Sequence, residues 1–521
     1  MSSFVTSLIC NKFGGIRKKD AVFSQDIITA SDLQNVELFY TGLNSGIGIR
    51  TVLGNVSITD KIPQNETIIG AFEATQETTK YNFLYTENAI EGKVYVYNIA
   101  ADTLTLLANG LTVTGECCFT DFAQGWSDFT IFTNGTNFYH FEMNASDVEN
   151  RIVNWNTKGY LVGIENEEIS GLGLVVFNGR LWIFNKQRLW YSMVGVCYDF
   201  HTVDSSIITS SGYIEFSKNI TAIHEYLGSL AIFHADSSVL LKVDENNNFS
   251  KDEESPGGCS GYNALVFHNT DLYFYDDTKK GVFSFQQVVN GEKTLGTNIA
   301  YDIQEILNNI NQADLIKIRT LSIFTEDRNE VWFLLPLLND DGEHSIVLIF
   351  DYIRGEWIKR KCQKINGFCI LKNKLYSLGD SLFEEYIGDD FNGEFIESYY
   401  NCTPLNLGVD NTFKITKFPP RLTIDAARIN DFWIEYIRNY NILKKPKIKR
   451  IQVKTLKNIL TFDTDECWDT DYIYIPKTIN SICKMSSSTF KTIQIKFYTT
   501  LKQQGFCIKN IEFSKIKVKQ V

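Results

Sequence analysis

Apolar and polar residues alternate along most of this chain in short runs, a pattern that is typical of β-strands. One motif recurs: one or two turn residues, then an alternating run of aromatic and aliphatic residues. Its seven occurrences begin at Gly92, Gly135, Gly179, Gly228, Thr270, Asn329 and Asn373. Successive occurrences are 43, 44, 49, 42, 59 and 44 residues apart. Because one blade of a β-propeller occupies about 40–50 residues, the motif predicts an all-β fold with a propeller of about seven blades.

Two details refine this prediction. The longest interval contains Ile303, Ile306, Leu307 and Ile310, whose spacing predicts an inserted helix. If the motif marks one strand in every blade, its aromatic residues are equivalent and pack between neighbouring sheets. These residues are Tyr95, Trp182, Tyr273, Trp332 and Tyr376. A β-sandwich or a two-layer solenoid with accidental spacing remains the alternative.

The motif divides the chain into three segments. Residues 64–389 contain the propeller, and residues 1–63 are expected to form an N-terminal arm or anchor. Residues 390–521 hold strands in which apolar residues alternate with lysine, a pattern of half-exposed strands. This segment predicts an appended, sandwich-like, antiparallel β-domain.

Charge is distributed unevenly along the 521 residues. The net charge is -12, yet residues 411–521 carry 21 Lys and Arg against 9 Asp and Glu. An asymmetry of this kind suggests a partner of opposite charge at one end. A basic stretch within this region contains Lys444, Lys445, Lys447, Lys449 and Arg450. It is a candidate protein-docking patch, while nucleic-acid contact and a plain solvated face are the alternatives.

Residue patterns that carry chemistry are missing from the sequence. The six histidines show no metal-binding spacing, and no nucleophile, phosphate-loop or dinucleotide motif occurs. The acidic cluster at 463–471 has carboxylates that could hold Ca²⁺ but lacks the EF-hand pattern, so a solvated turn is favoured. The sequence therefore predicts no catalytic residue, no metal site and no cofactor, and a protein that is not an enzyme.

Three short N-terminal segments resemble one family. They are Phe13-Gly14-Gly15-Ile16-Arg17, Ser31-Asp32-Leu33-Gln34-Asn35-Val36 and Gly48-Ile49-Arg50. Tail nozzle or tail hub proteins of short-tailed bacteriophages, also called tubular protein B or packaged-DNA stabilisation proteins, tend to begin with similar segments before a propeller. The resemblance covers about residues 13–50.

The resemblance implies a structural virion protein in a homo-oligomeric ring or nozzle, with sixfold symmetry as one option. Its partners would be other tail proteins on the adaptor or portal side and the distal side. Genomic DNA would pass through the channel without sequence-specific binding, and the protein would not insert stably into a membrane. Assembly would take place in the host cytoplasm, and the final location would be the virion tail. The alternative is a glycan-binding or glycan-cleaving propeller of a tail fibre or cell surface.

Overall fold

The structure, a computed structural model, describes most of the chain. Outside the described residues lie 1–3, 11, 18–27, 42–45, 125–126, 146–150, 165, 204–209, 245–247, 287–296, 326–327, 341–343, 406–412, 417–420, 426–430, 439–446, 455–477, 483–488, 491, 503 and 520–521. Contacts divide the chain into two compact units. The propeller unit contains residues 57–347 and 363–385, and the terminal unit contains residues 1–56, 348–362 and 386–521.

Seven sheets follow one another in chain order in the propeller unit, and each forms one blade. Within each blade, neighbouring strands are antiparallel. Blade 1 contains Thr67–Gln76, Thr79–Glu87, Gly92–Asn98 and Thr103–Leu111, and blade 2 contains Cys118–Gln124, Ser127–Thr133, Phe138–Phe141 and Ile152–Asn154. Blade 3 contains Leu172–Phe177, Arg180–Asn185, Arg188–Tyr191 and Gly212–Glu215. Blade 4 contains Ile220–Tyr226, Ser229–His234, Ser237–Val243, Phe249–Lys251 and Ser255–Pro256.

The last three blades are built in the same way. Within the propeller unit they contain Leu265–His268, Asp271–Asp276 and Gly281–Ser284; Arg319–Phe324 and Asn329–Leu334; and Gly367–Leu371, Lys374–Leu378 and Leu382–Glu385. Two further strands, Asn55–Ser57 and Ile346–Asp351, each contain a boundary between the units.

The blades form a closed ring. The first strand of each blade contacts the first strand of the next, except that blade 4 meets blade 5 at the turn Tyr262–Ala264. The first strand of blade 7 contacts that of blade 1. These first strands are therefore the inner strands of a seven-bladed propeller, and the predicted fold is confirmed.

The segment that precedes blade 1 helps to close this ring. The backbone N–H of Ile58 donates to the carbonyl of Leu382 in blade 7 at 3.0 Å. The hydroxyls of Ser57 and Ser381 lie 2.6 Å apart. Covering the exposed edge of the last blade in this way satisfies backbone groups that would otherwise be open to pairing with other chains.

Aromatic side chains fill the spaces between neighbouring blades. The rings of Phe72 in blade 1 and Phe119 in blade 2 stack at 5.9 Å, and Trp332 in blade 6 meets Phe368 in blade 7 edge-on at 5.3 Å. The five aromatic residues of the motif lie in five different blades and are all buried. Four of them lie on the second strand of their blade. Tyr95 lies on the third strand of blade 1, so the predicted equivalence is wrong for this residue.

The inserted segment in blade 5 is helical, as its spacing predicts. It consists of the 3-10 turn Tyr301–Ile303, the helix Gln304–Leu307 and the 3-10 segment Gln312–Lys317. Its four apolar residues, Ile303, Ile306, Leu307 and Ile310, are buried. The remaining short helices in the described residues are Trp155–Lys158, Tyr262–Ala264 and Leu338–Asp340.

The terminal unit combines both ends of the chain. An eight-stranded sheet contains Phe4–Cys10, Val36–Tyr40, Ile47–Thr51, Phe413–Thr416, Arg421–Asp425, Thr478–Ile482, Thr489–Phe490 and Cys507–Lys519. A six-stranded sheet has the order Phe13–Ile16, Ile28–Gln34, Tyr399–Cys402, Ile493–Tyr498, Asp431–Arg438 and Lys447–Lys454. The strand Glu356–Lys361 also belongs to this unit.

This arrangement differs from the predicted separate arm (1–63) and separate C-terminal domain (390–521). Phe4–Cys10 pairs with Cys507–Lys519, and Ile28–Gln34 pairs with Tyr399–Cys402. Strand pairing across the length of the chain therefore joins the two segments. Local alternation cannot reveal such pairing, because it shows that a strand exists but not which strand is its neighbour.

Candidate functional site

The predicted docking patch falls partly on an outer strand of the terminal unit. Lys447, Lys449 and Arg450 lie in Lys447–Lys454, whereas Lys444 and Lys445 lie outside the described residues. This strand pairs with Asp431–Arg438 and ends the order of the six-stranded sheet. Lysines on such a strand also discourage pairing with other chains, which is a purely structural reason for their presence.

Arg450 is the residue of the patch whose side chain the structure describes. Its Nε donates to Glu435 Oε2 at 2.8 Å, and 63% of its side chain is exposed. The hydrogen bond and the charge of Glu435 raise the pKa of Arg450. Part of its positive charge is therefore already balanced within the sheet. The acidic cluster at 463–471 lies outside the described residues, so the structure does not place it.

Charge separates between the two units. The propeller unit carries 42 Asp and Glu against 20 Lys and Arg, whereas the terminal unit carries 20 Asp and Glu against 30 Lys and Arg. The acidic residues of the chain therefore lie mostly in the propeller unit. The basic excess of the terminal unit comes from residues 411–521, because its other residues carry 9 Lys and Arg against 11 Asp and Glu.

The first segment of the N-terminal resemblance is held against the strand Glu356–Lys361. The backbone N–H of Gly15 donates to Glu356 Oε2 at 2.9 Å, and Arg17 Nη2 donates to Glu356 Oε1 at 3.1 Å. A Cβ atom at Gly15 would lie 2.4 Å from the carbonyl oxygen of Trp357. Only glycine fits at this close approach of two backbones.

The second segment contacts the same strand. Asn35 has a φ of 54°, a left-handed conformation that asparagine tolerates better than most residues. Its side-chain amide donates to the carbonyls of Lys361 and Glu397 at 3.0 Å and accepts from the N–H of Lys361 at 2.8 Å. Asp32 accepts a 2.9 Å hydrogen bond from Lys359 Nζ. This segment therefore serves to join strands.

In the third segment, a glycine again lies too close to a neighbouring strand for any larger residue. A Cβ atom at Gly48 would lie 2.6 Å from the ring of Phe39 and 2.7 Å from the carbonyl oxygen of Ile508. Arg50 pairs with Glu37 on the neighbouring strand. All three segments therefore consist of residues that the packing of the terminal unit requires.

A cavity of about 210 Å³ opens at one end of the propeller channel, the end where the inner strands begin. Phe72 and Phe119 line it from blades 1 and 2, and Asn263, Arg319 and Phe368 line it from blades 5, 6 and 7. Sequence analysis missed this cavity. Its residues are far apart in the chain, and only ring closure brings them together.

The histidines form no common site. His140 and His344 are both buried, which lowers the pKa of each to about 4. His140 Nδ1 accepts a 2.8 Å hydrogen bond from Trp155 Nε1, so His140 is a neutral core residue. Among the described residues, no group of three or more His, Cys, Asp or Glu could hold a metal ion, and no helix is long and apolar enough to cross a bilayer.

The neutral state of His140 predicts a dependence of stability on pH. Its pKa is about 4 in the folded protein and about 6.5 in the unfolded chain, so the unfolded chain binds the proton more readily. Stability is therefore complete above pH 6.5 and falls as the pH drops towards 4, by up to about 3 kcal/mol from this residue. The free energy of unfolding, measured with denaturant at several pH values between 4 and 7, should change less with pH in His140→Gln than in the wild type. An equal pH dependence of stability in the two proteins would contradict a neutral, buried His140.

Comparison with known proteins adds little. No known protein family matches this chain, and no curated protein matches it. Among solved structures, it is similar to selenomethionine-substituted virginiamycin B lyase from Staphylococcus aureus, with 10% identity over 68% of this chain and 99% of that one and a TM-score of 0.41. A catalytically inactive variant of the same lyase with quinupristin gives 10% identity over 64% and 99% and a TM-score of 0.40. Likeness at this level carries no argument about activity.

Proposed function

We propose that this chain is a structural protein of a short phage tail, where copies of it form part of the ring or nozzle through which DNA is ejected. The observation that carries the proposal is the use of the three N-terminal segments. Each is part of the packing of the terminal unit, and two of them hold the strand Glu356–Lys361. Segments that serve only to pack strands together are expected in a protein with a structural role.

The charge of the propeller unit supports the same role. The propeller unit carries 42 acidic against 20 basic residues, and this net negative charge repels a polyanion. Nucleic acids are held by Lys and Arg that neutralise phosphates, so an acidic surface would let DNA pass without retaining it. The basic terminal unit suits contact with an acidic neighbour in the tail, and Lys444, Lys445, Lys447, Lys449 and Arg450 are the candidate contact.

The test measures the mass of the purified protein as its concentration and the salt concentration are varied. The proposal predicts one oligomer of defined size, alone or after addition of the neighbouring tail protein. Changing the five patch residues to Ser should weaken attachment at low salt more than at high salt, because exposed charges are screened over about 8 Å at physiological ionic strength.

A matched control changes five exposed lysines of the propeller unit, Lys61, Lys80, Lys242, Lys317 and Lys374, to Ser. This variant should attach normally. Equal attachment of the patch variant and the control would show that the patch is a solvated face. If the protein binds DNA tightly and its affinity for DNA falls steeply as the salt concentration rises, the nucleic-acid alternative is favoured.

The second candidate function is a glycan-binding propeller. The observation that favours it is the cavity at the channel mouth, where aromatic rings lie beside the partly buried Arg319. A protein that stays monomeric at all concentrations and binds a saccharide in this cavity would support the second candidate over the first.

A further inference from the structure

The channel-mouth cavity contains a guanidinium group whose charge no neighbour balances directly. Arg319 Nη1 donates to the carbonyls of Ile316 and Ile318 at 2.6 and 2.9 Å, and Nη2 donates to the carbonyl of Gly115 at 2.6 Å. These three bonds use three of its five N–H groups. The Nε–H and one N–H of Nη2 have no acceptor among the described residues.

No carboxylate in the described part of the chain forms an ion pair with Arg319. Glu116 and Glu87 act on it only through their charge at longer range, and burial lowers the pKa of Arg319. Arg319 is partly buried, and a partly buried cation with N–H groups that lack acceptors is unfavourable. An anion that enters the cavity would gain a charge-assisted hydrogen bond from the N–H groups of Arg319 that lack acceptors.

The surroundings of Arg319 select the kind of anion. A guanidinium offers a planar pair of donors that matches a carboxylate. The nearby negative charges of Glu87 and Glu116 offset part of the positive potential, which favours a single negative charge over the two of a phosphate. His344, a basic side chain close to Arg319, is neutral above about pH 4 because it is buried.

The walls select the rest of the ligand. Phe72, Phe119 and Phe368 supply apolar ring surfaces. The volume of about 210 Å³ exceeds the roughly 150 Å³ of an engineered cavity that holds benzene, so a six-membered ring fits. The side-chain amide of Asn263 makes no hydrogen bond within the described residues and is free to meet a polar substituent of that ring.

We propose that the mouth of the propeller channel binds a small monocarboxylate that carries a six-membered ring. Arg319 receives the carboxylate, the three phenylalanines contact the ring, and Asn263 meets a polar substituent. This site is independent of the tail role, because it lies inside a single propeller and needs no second copy of the chain.

The test is calorimetric titration with benzoate and D-glucuronate, which separate an aromatic acid from a sugar acid. Benzyl alcohol, D-glucose and inorganic phosphate are the comparison probes. At least one of the two carboxylates should bind about tenfold or more tightly than its neutral counterpart and than phosphate, since only the carboxylate accepts a charge-assisted, paired hydrogen bond from Arg319. Arg319→Met should remove this preference.

Two further variants separate binding from folding. Arg180→Met is the matched control, because Arg180 in blade 3 also donates to backbone carbonyls, those of Ser192 and Ser210, but it does not line the cavity. It should bind the carboxylate as the wild type does. In Gly367→Ala, the new Cβ would lie 3.7 Å from Arg319 Cγ, an ordinary contact, so the protein should fold while a narrower cavity weakens binding.

Three results would overturn the proposal. The first is equal binding of the carboxylates and their neutral counterparts by the wild type, including no binding of either. The second is a preference for phosphate. The third is a carboxylate affinity that is the same in each of the single variants Gly367→Ala and Arg319→Met as in the wild type. If Arg319→Met does not fold, an unchanged affinity in Gly367→Ala is sufficient.

Discussion

Replacing Trp332 by Ala should lower the free energy of unfolding by about 3–5 kcal/mol. Trp332 is 1% exposed on the second strand of blade 6, and its ring packs edge-on against Phe368 of blade 7. Its indole Nε1 also donates to Glu330 Oε2 at 2.8 Å. Truncation would leave a cavity between two blades and remove a donor from a buried carboxylate, and both effects destabilise the fold.

Denaturant unfolding of the purified variant measures this loss. Phe324→Ala is the matched control, because Phe324 is an aromatic residue of the same blade but is 68% exposed. The control should stay within about 0.5 kcal/mol of the wild type. A loss below about 1 kcal/mol in Trp332→Ala would contradict the packing of blade 6 against blade 7.

Replacing Gly15 by Ala should destabilise the terminal unit by about 3 kcal/mol or more. The new Cβ would lie 2.4 Å from the carbonyl oxygen and 2.9 Å from the nitrogen of Trp357, both backbone atoms that cannot rotate away. The strand Phe13–Ile16 must then move, which breaks the hydrogen bond from Gly15 N–H to Glu356 and leaves polar groups in the interior unpaired.

Hydrogen exchange locates this effect better than a global unfolding curve, because the two units need not unfold together. Protection should fall in Phe13–Ile16 and Glu356–Lys361 and remain in blades 1–5. Gly261→Ala is the control, since a Cβ atom at Gly261 meets nothing within 4 Å. Unchanged protection at Glu356–Lys361 in Gly15→Ala would show that the N-terminal segment does not hold this strand.

The sequence predicts the number of repeats correctly, but it does not predict which strand of each blade carries the motif. Every blade contains one hairpin with a turn followed by alternating aromatics, so the number of occurrences equals the number of blades. In blades 3–7 the motif lies on the second strand, but Gly92 begins the third strand of blade 1, and the Gly135 occurrence leads into the third strand of blade 2. A local motif cannot distinguish two strands of similar composition, so Tyr95 was placed wrongly.

Long-range features are beyond sequence reasoning for a related physical reason. The pairing of Phe4–Cys10 with Cys507–Lys519 joins residues about 500 positions apart, and the cavity around Arg319 gathers residues from five blades. Neither leaves a periodic signal. Arg319 looks like an ordinary strand residue in the sequence, and its lack of a counter-ion becomes visible only once the inner strands are assembled.

The proposed tail role requires that copies of this protein assemble into a ring, and electron cryomicroscopy of the purified protein, alone and with a candidate tail protein, tests this assembly. We expect closed, symmetric rings with an open lumen wide enough for duplex DNA, in which the basic terminal unit faces an acidic protein. Isolated monomers under all conditions, with a saccharide bound at the mouth of the propeller channel, would contradict it.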